Sequence, residues 1–307
     1  MKKLIKYFLN KTWYLKNLYN KIDQQGFFNA GHYYSPIPHR EDIKQLKNKN
    51  DSPKPQLPDI NLNREKQKKN LNDYIQFYKD LPFPENKKEN FRYFYNNDYF
   101  GYSDAIFLFS FLLKNKPKKI IEIGSGFSSA VILDTIENFL PKRPDVIFIE
   151  PNPERLNNLI FEKDRNNFKL INKKLQETSI DIFSQLKTGD LLFIDSSHVI
   201  KYGSDLQTLF FNILPFLPEG VFVHFHDIFY PFEYPYEWLK KGIYWNEIYF
   251  LRAFLSYNYN WEIYFFNTYV SNEFEDIISK NMPQCLKNKG GSLYIQKKLG
   301  CNFSKMK

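Results

Sequence analysis

The 307-residue chain is 43% apolar and 19% aromatic, which excludes a disordered chain and allows one good-sized core with an appendage. Its formal charge of +9 is confined to one end: residues 1–70 hold 15 Lys/Arg against 6 Asp/Glu, and the other residues hold 28 of each. This argues against a basic nucleic-acid channel across the larger part of the chain. The two cysteines, Cys285 and Cys301, have no metal-ligand spacing, and the apolar run 105–113 is far short of the roughly 20 residues that span a bilayer.

In chain order, residues 1–22 place Leu4, Phe8, Leu15, Leu18 and Ile22 at roughly helical spacing among six lysines. They predict a basic amphipathic helix that packs on its own domain or a second copy, or lies on a lipid surface. Residues 31–38 are aromatic and proline-rich and cannot form a regular helix. Residues 46–70, rich in Lys, Asn, Pro and Asp, read as a linker. The expected division is a basic appendage over 1–70 and a catalytic domain over 71–300. No signal peptide or span is expected, and the chain reads as cytoplasmic, with its basic end able to touch the inner membrane surface.

From residue 71 short apolar strands alternate with helices. Ser103 and Asp104 can open a helix through residue 113. Strands are predicted at 119–123, 146–149, 168–171, 191–194 and 221–224, with helices at 128–139 and 204–214. A helix at 245–255 and strands at 261–266 and 292–296 follow. This alternation predicts a parallel, helix-covered sheet.

The first strand runs into Glu122-Ile-Gly124-Ser-Gly126-Phe-Ser128-Ser129, a turn whose glycines let a ligand approach the backbone. As a dinucleotide fingerprint it lacks the third glycine, and the acid before the turn suits a cationic ligand. S-adenosylmethionine (SAM) carries an ammonium and a sulfonium, so Glu122, Gly124, Gly126 and Ser128 are expected at its amino-acid end. Glu150 closes the next strand, where a carboxylate can accept both ribose hydroxyls. Gln176 is expected near the adenine, and Asp195 at the floor of the same pocket.

Residues 117–297 resemble a class I SAM-dependent methyltransferase, from Ile-Glu-Ile-Gly-Ser-Gly through Ile-Glu-Pro and Phe-Ile-Asp-Ser-Ser-His to the terminal strand pair. The Asp195-Ser-Ser-His198 spacing and the His226-Asp227 pair resemble metal-dependent O-methyltransferases of macrolide sugars. The His-Asp-Ile-Phe-x-Pro-Phe-Glu-Tyr-Pro segment is similar to uncharacterised bacterial methyltransferases. The resemblance implies a Rossmann-like, mostly parallel seven-stranded sheet with an antiparallel last strand. It also implies metal-binding carboxylates at Asp195 and Asp227 and a base at His198. The family sets an acid or amide beside the second Asp, where this chain has His226, a ligand that suits zinc, iron or manganese better than magnesium.

Methyl transfer to a hydroxyl needs that oxygen near the methyl and its proton removed. His198 and Asp195 are therefore expected to be catalytic, and Asp195, His226 and Asp227 to hold a divalent ion. The acceptor is expected to be a small molecule or glycan, with no nucleic-acid partner. His224 is expected to pack, Asp205 to open a helix, and the aromatic loop 228–238 to form a ring-binding platform or a lid over the mouth. The other readings are N-methylation of a macromolecule, a non-catalytic SAM-binding scaffold, and an NAD-dependent oxidoreductase.

Overall fold

The computed structural model describes residues 27–47 and 56–300. The predicted helix over 1–22 lies outside them. The described residues fall into two compact units, 56–234 with 245–300, and 27–47 with 235–244. In the smaller unit, α1 (Arg40–Lys47) is the first described helix.

The larger unit opens on α2 (Arg64–Tyr78) and α3 (Tyr102–Asn115), followed by β1 (Lys119–Ile123), α4 (Phe127–Phe139), β2 (Asp145–Ile149), α5 (Glu154–Leu159) and β3 (Lys169–Ile171). Then come β4 (Leu191–Ile194), α6 (Asp205–Thr208) and β5 (Phe222–Phe225). The short α7 (Tyr236–Lys240) belongs to the smaller unit. The larger one closes with α8 (Glu247–Leu255), β6 (Trp261–Phe266), α9 (Asn267–Glu273), α10 (Glu275–Asn281) and β7 (Leu293–Lys297).

The seven strands lie in the order β3-β2-β1-β4-β5-β7-β6. β1 to β5 pair in parallel, and β7 runs antiparallel to both β5 and β6. This matches the expected sheet. The central strands are unbroken apolar runs such as Leu191–Ile194, buried throughout, because helices cover both faces of a parallel sheet. α3 buries eleven of its 14 residues, which is why its sequence shows no polar stripe. Strand order reverses between β1 and β4, and a ligand cleft forms beyond the carboxyl ends of strands at such a switch point.

Two expectations are corrected. The larger unit starts at Gln56 rather than residue 71, and residues 64–70, read as linker, form half of α2. Their polarity has a structural use. Gln67 accepts from Phe266 N at 2.8 Å and Asn70 donates to Tyr264 O at 2.7 Å, so buried amides satisfy the open backbone of edge strand β6. The predicted helix 204–214 is α-helical only over Asp205–Thr208 and continues as a wider turn over Leu209–Ile213, since Pro215 lacks the N–H that an α-helix would require. Among the described residues no helix is long and apolar enough to cross a membrane.

Candidate functional site

The glycine turn after β1 is shaped by what lies against it. Gly124 has φ +80°, and a Cβ there would sit 1.7 Å from the carbonyl oxygen of Asp195, so both conformation and space require glycine. Gly126 has an extended backbone. A Cβ on it would meet Cδ of Arg155 at 2.9 Å.

Glu122 is fully buried, and it does not line the cavity beside the turn. Its two oxygens accept from the hydroxyls of Ser128 at 2.5 Å and Ser129 at 2.6 Å. Ser129 in turn accepts from Gly126 N at 3.0 Å. The acid ties the turn to the start of α4 and engages the Ser128 hydroxyl as well. Burial pushes Glu122 up to about 8, against the two serine hydrogen bonds.

The native state thus keeps this proton after the unfolded chain has lost it, and stability falls as pH rises between about 4.5 and about 8. Glu122→Gln cannot ionise and should gain stability relative to wild type across that window. Denaturation midpoints at a series of pH values would reveal the gain, and a constant difference would refute it.

Above the turn lies a cavity of about 740 Å³, in the size range of small-molecule and cofactor sites. Gly124, Gly126, Ser128, Glu150, Gln176 and Asp195 all line it, as do His198, His226 and Asp227. Glu150, at the tip of β2, accepts from Ser125 N at 3.0 Å and Asn152 N at 2.8 Å. Each carboxylate oxygen retains a lone pair for a ribose hydroxyl. Gln176 donates to Gly203 O at 2.8 Å, tying the loops after β3 and β4 together.

At the ends of β4 and β5, two imidazoles face the same two carboxylate oxygens. Nε2 of His198 lies 3.3 Å from Asp195 Oδ1 and 3.6 Å from Asp227 Oδ2. Nδ1 of His226 lies 3.4 and 3.7 Å from those atoms. The far nitrogen of each ring faces a buried acid, His198 Nδ1 meeting Glu247 Oε2 at 2.8 Å and His226 Nε2 meeting Asp104 Oδ2 at 3.4 Å. Backbone conformation sets this up, since His198 and Asp227 both have φ +57°, a region that non-glycine residues rarely enter and that clusters at functional sites. The His198 carbonyl accepts from Asn246 N and Glu247 N, so the start of α8 carries Glu247 to the ring.

Neither Glu247 nor Asp104 was singled out as a site residue from sequence. Asp104 read as a helix opener, and an acid in the first turn of an apolar helix is ordinary capping chemistry. Asp104 is held by Asn267 Nδ2, Gly291 N and Ser292 Oγ, at 2.9, 3.0 and 2.6 Å. These partners come from more than 160 positions away, where no local pattern reaches.

Electrostatics at this centre are strongly coupled. Burial lowers His198 but Asp195 and Glu247 outweigh it, pushing the ring up to about 10. Asp195 is held well below the ordinary carboxylate range, where burial is overcome by the two imidazoles. Burial raises Asp227, with the imidazoles opposing. Four acids around two imidazoles leave a surplus of negative charge in a largely buried place, and His226 Nδ1 makes no hydrogen bond there. Asp195, His198 and Asp227 present ligand atoms within 4.8 Å of one another. This donor set, with a bare nitrogen aimed at two carboxylates, fits a divalent cation.

His224 packs as expected, stacked 3.8 Å from Phe193 and fully buried. The aromatic loop after Asp227 is no open platform over 228–234, for Ile228, Phe232 and Tyr234 are buried in the larger unit. Asp205 accepts from Ser197 N and Oγ, holding the loop before His198, while Ser204 caps α6.

The sheet order, the glycine turn and the acid at the tip of β2 define a nucleoside-cofactor protein of the Rossmann-like methyltransferase class. A family model described as a methyltransferase domain matches residues 121–228, from β1 to just past Asp227, and the chain belongs to the class I SAM-dependent methyltransferases. An uncharacterised protein of Archaeoglobus fulgidus is 32% identical over 170 residues, covering 52% of this chain and 74% of that protein. The chain is also similar to the SAH-bound Podospora anserina methyltransferase PaMTH1, 13% identical, with 85% of this chain and 97% of that one covered at a TM-score of 0.40. A cmcI structure with Mg and SAM is 15% identical, with 72% and 83% covered at a TM-score of 0.38.

Proposed function

We propose that the chain transfers methyl from SAM to a hydroxyl of a small-molecule or glycan-like acceptor, with His198 as general base and a divalent ion at Asp195, His226 and Asp227. The observation that carries this reading is the meeting, in one cavity, of the glycine turn and Glu150 with the His198 and His226 centre. Gly124 and Gly126 open the turn to the cofactor, and Glu150 takes the ribose. When bound, SAM supplies an electrophilic methyl, and the ion lowers the pKa of a hydroxyl beside it and orients that oxygen.

The protein's own part is proton management. The acids around His198 by themselves favour its protonated form; a cation at Asp195 and Asp227 would offset their charge, and with Glu247 at Nδ1 Nε2 would then take the acceptor proton as oxygen attacks the methyl. Asp104 faces His226 Nε2 in the same way, and a cation at the carboxylates would take the place of the proton that these acids otherwise favour on the ring, leaving Nδ1 as a ligand. Imidazole ligands favour zinc, iron or manganese over magnesium.

The test is calorimetric titration of the purified protein with S-adenosylhomocysteine (SAH) and, separately, with NAD, with metal content measured on the same sample. Micromolar SAH binding that is lost in Glu150→Ala, and a stoichiometric ion lost in Asp227→Ala, are the expected results. Tighter binding of NAD than of SAH, or no SAH binding, would overturn the reading.

A further inference from the structure

Burial of Glu122 leaves open what meets the amino-acid end of the cofactor, which carries a carboxylate as well as an ammonium. Three cations line the cavity: Arg155, Lys174 and Lys201. Lys174 and Lys201 sit beside the loops that the Gln176 to Gly203 hydrogen bond joins, past β3 and β4. Arg155 alone of the three lies at the glycine turn. Its Cδ and Nη1 are 2.9 and 3.8 Å from the point a Gly126 Cβ would occupy.

From α5 the side chain crosses the turn to Tyr99, with the guanidinium carbon 3.8 Å from that ring's centroid. Tyr99 in turn stacks on Phe127 at 5.7 Å and an interplanar angle of 13°, and Phe127 is the first residue of α4. Among the described residues no carboxylate pairs with Arg155. A guanidinium held by its face on an aromatic ring keeps its N–H edge for a planar anion, and the fork of donors matches a carboxylate.

We propose that Arg155, set on Tyr99 and Phe127, is the residue that binds the amino-acid carboxylate of the cofactor. This rests on the SAM reading above and deepens it. A side chain at Gly126 would meet the arginine stem, so this glycine leaves the stem room to cross the turn. Glu150 at the ribose and Arg155 at the carboxylate then read two separate parts of one ligand, the second of which a nucleoside without the amino acid lacks.

The experiment compares SAH with its decarboxylated analogue, which keeps the adenosine, the sulfur and the amine. Both are titrated into wild type, Arg155→Lys and Arg155→Met, and thermal melting verifies folding. Wild type should prefer SAH by roughly ten- to a hundredfold, the range of a charge-assisted pair. Arg155→Met should bind the two alike by losing affinity for SAH only, and Arg155→Lys should fall between. Equal weakening of both ligands in Arg155→Met, or an unchanged preference for SAH, overturns the assignment alone. Wild type that binds neither ligand overturns the SAM reading and this assignment together.

Discussion

Replacing His198 with alanine is expected to lower kcat by about 10²- to 10⁴-fold, the effect of losing a general base, while SAH binding is retained because the glycine turn and Glu150 are untouched. Glu247→Gln should cost on the order of 10- to 100-fold, since an amide still accepts from Nδ1 but no longer supplies the charge that stabilises a protonated ring. Elemental analysis decides between two roles for the imidazole. Activity lost with the ion retained makes His198 the base, whereas loss of the ion in His198→Ala makes it a ligand beside Asp195 and Asp227. Full activity in His198→Ala would remove it from the reaction altogether.

Arg92→Met should be the most destabilising single change away from the site. The Arg92 side chain is 1% exposed and bonds Asp134 Oδ1 at 2.6 Å, Glu137 Oε2 at 2.5 Å and Asp164 Oδ1 at 2.5 Å, with Asp134 and Asp164 themselves buried. It also lies over the Phe161 ring at 4.5 Å. Removing it strands two buried carboxylates, a loss of about 3–5 kcal/mol and a fall in Tm on the order of 10 °C.

The pH dependence of that loss follows from Asp164, which Arg92 holds below the ordinary carboxylate value although burial opposes. Its stabilisation is present above an unfolded pKa of about 4 and disappears as pH falls through the lower folded value. The gap between wild type and variant should therefore narrow in acid. Chemical denaturation of both proteins at neutral and acid pH would show this, and a gap that widens in acid would contradict the ion-network account.

Much of the cofactor half was legible in the sequence because its signals are local. A β-branched run ending in Gly124-Ser-Gly126, with Glu150 closing the following strand, encodes a strand, a turn and an acid within 30 residues, and period and turn chemistry suffice to place them. The run of strands and helices also dictated the parallel sheet. Asp195, His198, His226 and Asp227 were legible for a related reason, since each follows a strand end and the carboxyl ends of parallel strands share one edge.

What the tertiary structure decided is which of these groups point outward and what stands behind them. Glu122 and Glu150 look alike in sequence, each an acid at a strand end beside a turn. Glu122 lies within β1 and turns under α4, where two serines wait, whereas Glu150 follows the last residue of β2 and lines the cavity. The register pairs Glu122 with Phe148 and Ile123 with Ile149, so Glu150 stands two residues beyond the level of Glu122; alternation alone would give both acids one face, and it is their places inside the strand and past its end that decide what each meets. Asp104 and Glu247 reach the imidazoles only through the packing of α3 and α8, and Arg155 reaches Tyr99 only across a glycine that leaves room. The sequence by itself determined the sheet, the turn and the set of ionisable groups at the strand ends. The fold alone decided their partners, because a charge is tuned by neighbours that are close in space and distant along the chain.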